Sequence, residues 1–317
     1  MKALFLVGRP GHSTVIMNSW PWEKTFFRFE DEANGDTRQK DVELIEAVRQ
    51  AKPDLVVYIA VCLSKKQLDG SEPFKGIPYD ATFKLVRHLA PTVMICCDGG
   101  DAGWEPLLHR YYDGGCFDCM VNIDGVLGWP LKDKKNCFVG LNPWPWPKDL
   151  SIKPLSERSV NFGFHGALGL GSRRWQMCRD LFVTAGLSAH ARDCVSSPTC
   201  MPYAEYARRI SEFKIALNMA WSGLETCLHV KGRVLEYGWA GCCLLENRGS
   251  WTREWFEEGE DYWSYTDAAD AARWAKVLLD DLPTAQAVAD NLRKKVAGLY
   301  TAEKFWSSVV KKVGVAC

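Results

Sequence analysis

Apolar residues in the first half of the chain fall into short continuous runs separated by amphipathic stretches. Residues 3–7, 55–60 and 93–97 are apolar throughout, as strands buried on both faces of a parallel sheet are. Residues 40–51 and 79–90 instead carry apolar side chains at helical spacing. This alternation predicts right-handed βαβ units and a parallel sheet.

The same half contains two further predicted strands, 117–122 and 137–141, and an aromatic stretch, 19–37, that we expect to be irregular. The first half of the chain ends at a proline-rich segment that contains Pro143, Pro145 and Pro147. Because proline fits neither a central strand nor a helix interior, this segment is the clearest domain boundary, and the first domain is predicted to cover 1–147.

The second half restarts the alternation, so a second domain is predicted over 148–300 and a terminal helix over 301–317 that crosses back to the first domain. The predicted strands are 159–165, 190–194, 213–218 and 242–246, and the predicted helices are 173–185, 203–210, 232–240, 267–279, 284–299 and 302–313. We therefore expect an α/β protein of two Rossmann-like domains that face each other across a cleft at the carboxyl ends of their strands.

Composition narrows the class of protein. The 317 residues include 39 Lys and Arg and 39 Asp and Glu, so the net charge is zero and a generic polyanion binder is disfavoured. No apolar run reaches the 18 residues of a membrane span, and the first residues are predicted to form a strand rather than a signal peptide. Thirteen scattered cysteines indicate a reducing, cytoplasmic compartment, and we interpret Cys116 and Cys119 as free thiols rather than metal ligands.

One motif places two cations and a carboxylate at a helix start. Lys231, Gly232 and Arg233 stand where backbone N–H groups already favour anions, which suits a diphosphate. Glu236 follows one turn later, where a carboxylate can accept hydrogen bonds from a ribose diol. The alternative is a solvated helix start with no ligand.

A glycine-rich turn lies between a predicted strand and a predicted helix. Gly166, Gly169 and Gly171 allow close backbone approach, and Arg173 follows as a cation. The spacing is also typical of a dinucleotide fingerprint, and an ordinary glycine-rich turn with surface arginines is the structural alternative.

Other polar residues directly follow or flank predicted strands. Gly11, His12 and Asp101 are candidates for binding an acceptor. Asp98, His165 and His229 are candidates for contact with the reacting groups, although Asp is an ordinary turn residue and a lone histidine is more often structural. The hydrolase motif GxSxG, the zinc motif HExxH and the P-loop motif are absent from the sequence, which disfavours those classes.

Taken together, the motifs of the second half resemble the C-terminal domain of GT-B glycosyltransferases, most closely the CgeB-like group near glycosyltransferase family 4. The resemblance covers about 160–300, and the first half matches only in layout. The matching pieces are Phe164-His-Gly166 with Arg173, then 213–218, then Gly232-Arg233-Val-Leu-Glu236 with Gly241 and 244–246, and finally Trp255-Phe256-Glu-Glu-Gly259-Glu-Asp261.

The resemblance implies a role for each matching residue. Glu236 corresponds to the family's ribose-binding glutamate, and Lys231, Arg233 and Arg173 to its diphosphate contacts. Gly166, Asn218 and Gly232 fall in the same donor-binding region. The chain departs from the family at Leu228, where many members carry a further glutamate.

The implied activity is transfer of a sugar from a nucleotide-diphosphate sugar such as a UDP-sugar, with retention of anomeric configuration and with neither a metal nor another cofactor. The expected acceptor is a saccharide, a small molecule or, as for some phage enzymes, DNA. Two alternatives remain: an NAD(P)-dependent oxidoreductase that uses Gly166–Gly171, and a non-catalytic nucleotide- or sugar-binding protein on the same fold.

Overall fold

A computed structural model describes residues 1–7, 12–28, 37–60, 80–147, 149–166, 168, 171–191, 201–222 and 225–315. The candidate residue Gly11 lies outside them, and His12 is described by its backbone only. The described chain divides into two units. Unit 1 comprises Met1–Pro143, Trp221–Cys227 and Ala302–Cys317, and unit 2 comprises Trp144–Ala220 and Leu228–Thr301.

Unit 1 is built on a six-stranded sheet in which every neighbouring pair is parallel, in the order β2-β1-β3-β4-β5-β6. Its strands are β1 (Lys2–Val7), β2 (Glu23–Arg28), β3 (Leu55–Ala60), β4 (Thr92–Cys96), β5 (Cys119–Asn122) and β6 (Cys137–Val139). Its first helices are α1 (His12–Asn18), α2 (Thr37–Ala51), α3 (Asp80–Leu89) and α4 (Glu105–Asp113).

Unit 2 carries a five-stranded parallel sheet in the order β11-β10-β9-β7-β8. Its strands are β7 (Val160–Gly166), β8 (Ser188–Ala191), β9 (Phe213–Leu217), β10 (Cys243–Asn247) and β11 (Trp263–Tyr265). Its helices are α5 (Arg173–Ala185), α6 (Tyr203–Ile210), α7 (Gly232–Trp239), α8 (Ala268–Asp280) and α9 (Leu282–Leu299), and the chain closes with α10 (Ala302–Val313) in unit 1.

The apolar strand runs are explained by burial on both faces of the unit 1 sheet. Alternate residues of β3 belong to different clusters: Val56 and Tyr58 pack with α2, α3 and α4, whereas Val57 and Ile59 pack with α1 and α10. Because successive side chains of a strand point to opposite faces, a strand covered on both sides must be apolar at every position.

Two predicted stretches need correction. Residues 23–28 were expected to be irregular but form the edge strand β2, whose side chains are mostly exposed and therefore lack the continuous apolar pattern. The strand expected at 190–194 is β8 and begins at Ser188, where it pairs in parallel with β7 through Gly163; residues 192–200 lie outside the described part.

The terminal helix α10 packs within unit 1. Trp306, Val309 and Val310 are buried on it and join the cluster that contains Phe5 and Trp20. The indole Nε1 of Trp306 donates to Ser19 Oγ at 2.8 Å. Among the described helices none is long and apolar enough to cross a membrane.

Candidate functional site

Polar side chains gather at one edge of the unit 2 sheet. His165 and Gly166 end β7, Asn218 directly follows β9, and Glu246 lies near the end of β10. Since β7, β9 and β10 are parallel neighbours, their carboxyl ends meet at the same edge. The sequence between β9 and β10 then supplies α7, whose first turns carry the predicted donor-binding motif.

Arg233 reaches this edge from the first turn of α7. Its Nε donates to Asn218 Oδ1 at 3.0 Å, and Nη2 donates to the Met219 carbonyl at 3.3 Å. The guanidinium lies over the Phe164 ring, 5.1 Å from its centroid. A Cβ on Gly166 would displace Arg233 Nη1, so the glycine lets the guanidinium lie directly against the backbone of β7. The structure therefore brings together Gly166, Asn218 and Arg233.

Asn218 connects Arg233 to a buried carboxylate. Its Nδ2 donates to Glu246 Oε2 at 2.7 Å, and the hydroxyl of Thr252 donates to the same oxygen at 3.2 Å. The backbone N–H of Asn247 donates to Glu246 Oε1 at 2.7 Å. Burial raises the pKa of Glu246 to about 7, and these hydrogen bonds oppose the rise because they favour the charged form.

The start of α7 offers hydrogen-bond donors. Lys231 is the N-cap residue, and its Nζ donates to His229 Nδ1 at 3.2 Å, which places the imidazole proton on Nε2. The backbone N–H groups of Gly232 and Arg233 have no hydrogen-bond partner among the described residues. The Trp144 indole packs so closely on Gly232 that a Cβ would clash there.

Glu236 is buried one turn further along α7, with 5% of its surface exposed. Tyr206 on α6 donates its hydroxyl to Glu236 Oε2 at 2.6 Å. Burial raises the pKa of Glu236 to about 7, and the Tyr206 hydrogen bond and the charge of Arg233 oppose that rise.

Several aromatic side chains pack together beside the Glu236 carboxylate. Trp144 and Tyr203 stack with ring centroids 6.0 Å apart, and Tyr203 packs against Tyr206 at 5.9 Å. The Tyr203 hydroxyl is buried and has no hydrogen-bond partner among the described residues. His165 meets the Tyr206 ring edge-on at 4.7 Å. The two predicted catalytic histidines, His165 and His229, are 1% and 0% exposed.

Replacing Glu236 by glutamine is expected to flatten the pH dependence of stability. The folded-state pKa of about 7 lies above the ordinary value of 4.5, so the folded protein binds this proton more tightly than the unfolded chain. The resulting stabilisation is complete below pH 4.5 and is lost as the pH rises through 7. At ~1.4 kcal/mol per pKa unit, it amounts to about 3 kcal/mol at most.

Urea unfolding of the wild-type and Glu236→Gln proteins between pH 4.5 and 7 measures this difference. The exposed Glu260→Gln variant is the matched control. Parallel stability curves for wild type and Glu236→Gln would show that the proton on Glu236 does not contribute.

Arg173 is exposed at the first residue of α5. The Ser172 hydroxyl accepts a hydrogen bond from the Trp175 N–H at 3.2 Å and so caps this helix. Residues 167, 169 and 170 of the glycine-rich turn lie outside the described part. The structure thus shows Arg173 at the start of the helix that the sequence predicted.

The remaining candidates belong to unit 1. Asp98 and Asp101 follow β4 and are 7% and 1% exposed. The Thr226 hydroxyl donates to Asp101 Oδ1 at 2.6 Å. Gly99 follows Asp98 directly, and a Cβ there would meet Cys96 Sγ at 2.8 Å. Cys116 and Cys119 are buried free thiols.

Sequence motifs missed the partners that come from distant segments. Tyr206 is 30 positions from Glu236, and Glu246 is 28 positions from Asn218. The one available signal was the polar Glu246-Asn247 pair at the end of an otherwise apolar strand run.

Comparison with known proteins identifies the class of this chain. A model of the glycosyl transferase-like family matches residues 150–310, just over half of the chain. No curated protein is detectably similar to it in sequence.

Solved structures of similar fold cover nearly the whole chain. HepE from Anabaena, solved with UDP-glucose, is 11% identical, covers 100% of both chains and has a TM-score of 0.66. An alpha-glucosyltransferase solved with UDP-glucose and DNA containing an abasic site is 11% identical over 99% of both chains, with a TM-score of 0.63. Sucrose-phosphate synthase from Thermosynechococcus elongatus is 10% identical over 99% of this chain and 97% of that one, with a TM-score of 0.60.

Two parallel α/β units with these structural neighbours define an enzyme of the GT-B fold class, which confirms the predicted fold class. The chain belongs to the glycosyl transferase-like family and is a glycosyltransferase.

Proposed function

We propose that the protein transfers a sugar from a UDP-sugar to an acceptor hydroxyl, and that unit 2 binds the donor. The observation that carries this proposal is the Arg233 guanidinium, which Asn218 holds against Gly166 close to the first N–H groups of α7; those N–H groups have no hydrogen-bond partner among the described residues. Backbone N–H groups at a helix start and an arginine are a recurrent diphosphate-binding combination. The UDP-glucose bound by HepE and by the alpha-glucosyltransferase supports the choice of UDP.

The proposed chemistry follows from the charge that develops in the reaction. Breaking the bond between the anomeric carbon and the phosphate oxygen puts negative charge on the leaving diphosphate. Arg233, Lys231 and Arg173 would stabilise that charge together with the N–H groups of α7. These three cations would neutralise the charge on the leaving diphosphate, which is the usual role of a divalent ion in such a reaction. Because the sequence also lacks an Asp-x-Asp motif, we expect activity without a divalent ion.

The histidines act in this proposal through their neighbours. His229 accepts a hydrogen bond from Lys231 and so holds the ammonium at the N-cap of α7. His165 supports the Tyr206 ring, whose hydroxyl in turn binds Glu236. At 1% and 0% exposure the two imidazoles present little surface to a substrate.

The acceptor is assigned to unit 1. Asp98 would bind and orient the attacking hydroxyl, and Asp101, Gly11 and His12 are the other residues proposed to bind the acceptor. A saccharide or another small molecule suits the neutral net charge better than DNA does, although one structural neighbour was solved with DNA. We propose retention of the anomeric configuration and a cytoplasmic site of action.

The proposal is tested by a screen of nucleotide sugars for thermal stabilisation and for release of the nucleoside diphosphate, with and without EDTA. A ligand present at a concentration of 100 times its Kd stabilises the folded protein by about 2.7 kcal/mol, so binding is readily visible as a rise in melting temperature. We expect UDP-sugars to stabilise the protein and to be turned over in EDTA. Stabilisation by NAD(P) instead would favour an oxidoreductase, and binding without turnover under any acceptor condition would favour a binding protein.

Replacing Glu236 by alanine is expected to weaken UDP binding by roughly 10- to 100-fold, because a charge-assisted hydrogen bond to the ribose is worth ~1.5–3 kcal/mol. The same substitution should weaken the binding of 2′-deoxy-UDP by a smaller factor, since this analogue lacks one of the hydroxyls that would donate a hydrogen bond to the Glu236 carboxylate. Calorimetric titration of both ligands into both proteins measures the difference. Equal affinity of UDP for the wild-type and variant proteins would show that Glu236 does not bind the ribose.

A further inference from the structure

A chain of hydrogen bonds runs from the buried end of β10 to the start of α7 through three side chains, which we call the relay: Glu246, Asn218 and Arg233. Glu246 is 0% exposed and Asn218 is 0% exposed, whereas Arg233 is partly exposed. The two hydrogen bonds that join them measure 2.7 Å and 3.0 Å. The relay thus connects the interior of unit 2 with the predicted diphosphate position.

The carboxylate determines which way the Asn218 amide faces. At pH 8, above its pKa of about 7, Glu246 is ionised and only accepts hydrogen bonds, so the group that meets its Oε2 is the NH₂ of Asn218. The amide oxygen is thereby turned to Arg233 Nε, which can only donate. In the reversed amide, two donors would face each other at Arg233 and two acceptors at Glu246. The Asn218 main chain is held as well, because the Tyr265 hydroxyl donates to its carbonyl at 2.7 Å.

The relay leaves most of the guanidinium available. Arg233 has five N–H donors, of which Nε binds Asn218 and one on Nη2 binds the Met219 carbonyl. The other three have no partner among the described residues, and Nη1 lies against Gly166. A guanidinium fixed through Nε and one Nη2 N–H still has both Nη1 N–H groups and the second Nη2 N–H to offer, and these are suited to bidentate binding of a phosphate.

We propose that Glu246 is a positioning residue for donor binding: it sets the Asn218 amide, which holds the Arg233 guanidinium in the orientation that binds the diphosphate. This inference rests on the proposed function of the site. Glu246 itself does not touch the substrate.

A pair of substitutions tests the order of donors and acceptors in the relay. In Glu246→Gln, the glutamine oxygen is needed by the Asn247 N–H, so its NH₂ meets Asn218 and forces the amide to reverse. The reversed amide then presents NH₂ to Arg233 Nε and displaces the guanidinium. In the double variant with Asn218→Asp, one Asp oxygen accepts from Gln NH₂ and the other from Arg233 Nε, so the donor and acceptor order is restored.

The measurement is the affinity of the intact protein for UDP and for uridine at pH 8, by calorimetry for UDP and by NMR titration for the weaker ligand. Loss of a charged hydrogen bond to phosphate predicts that Glu246→Gln binds UDP about 10- to 100-fold more weakly, with uridine affinity unchanged. The double variant should recover UDP affinity to within about threefold of wild type. Thr252→Val is the control: it removes a hydrogen bond to Glu246 without reversing Asn218, so it should lower the melting temperature and leave UDP affinity unchanged.

Three results would overturn the inference: wild-type UDP affinity in folded Glu246→Gln, equal loss of UDP and uridine binding, or no recovery in the double variant. If Glu246→Gln alone does not fold, the double variant decides by the same criterion, because it should fold and bind UDP. The wild-type protein is titrated with UDP first. If it does not bind UDP, the proposed function is contradicted, and this failure is distinct from a failure of the inference about Glu246.

Discussion

Replacing Arg233 by alanine is expected to lower kcat/KM for a UDP-sugar by about 100- to 1000-fold, the range seen when one pre-organised donor to a developing negative charge is removed. The guanidinium is held at its Nε edge by Asn218, so its free N–H groups are already oriented before the donor binds. Because the leaving diphosphate gains charge in the transition state, the loss should appear in kcat as well as in KM.

Steady-state kinetics on the folded variant measures this effect. Arg179→Ala is the matched control, since it removes an arginine whose side chain is 58% exposed on α5 and paired with Asp180. Wild-type kcat/KM in Arg233→Ala would place the diphosphate elsewhere, whereas equal losses in both variants would indicate a general electrostatic effect.

Replacing Trp306 by alanine is expected to lower the free energy of unfolding by about 3–5 kcal/mol, as is typical of a buried tryptophan. The ring is fully buried and packs edge-on against Phe5 at 5.9 Å and Trp20 at 5.0 Å. Alanine would leave a cavity between α10 and the sheet and would also leave Ser19 without its indole donor.

Chemical denaturation measures this loss. Trp306→Phe keeps most of the apolar contact and loses the hydrogen bond to Ser19 and part of the ring, so its cost should be smaller than that of Trp306→Ala. A change of less than about 1 kcal/mol in Trp306→Ala would mean that α10 contributes little to the stability of unit 1.

The regular elements could be predicted because burial on both faces of a sheet leaves a strong local pattern. Residues 55–60 are apolar at every position, and all six are buried in β3. The edge strand β2 escaped prediction because its mostly exposed side chains are not under that constraint. The segment Trp221–Cys227 belongs to unit 1 although the chain on both sides of it lies in unit 2, and no local pattern distinguishes it.

The candidate site was predictable where its residues share one motif. Lys231, Gly232, Arg233 and Glu236 occupy the start of α7, as the spacing indicated. The contacts that orient them depend on strand order: β9 lies between β7 and β10, and this places Asn218 within reach of both Arg233 and Glu246. The hydrogen bond from Tyr206 on α6 to Glu236 on α7 also joins segments that are distant in the sequence, so only the folded structure shows this contact.

Binding of the donor diphosphate by unit 2 at the start of α7 is tested most directly by a crystal structure of the protein with UDP. We predict that the diphosphate lies within hydrogen-bond distance of Arg233 and the N–H groups of Gly232 and Arg233, with the ribose hydroxyls at Glu236. UDP bound at another place in a fully occupied complex, with Arg233 and Glu236 not in contact with it, would show that the start of α7 is not the donor site.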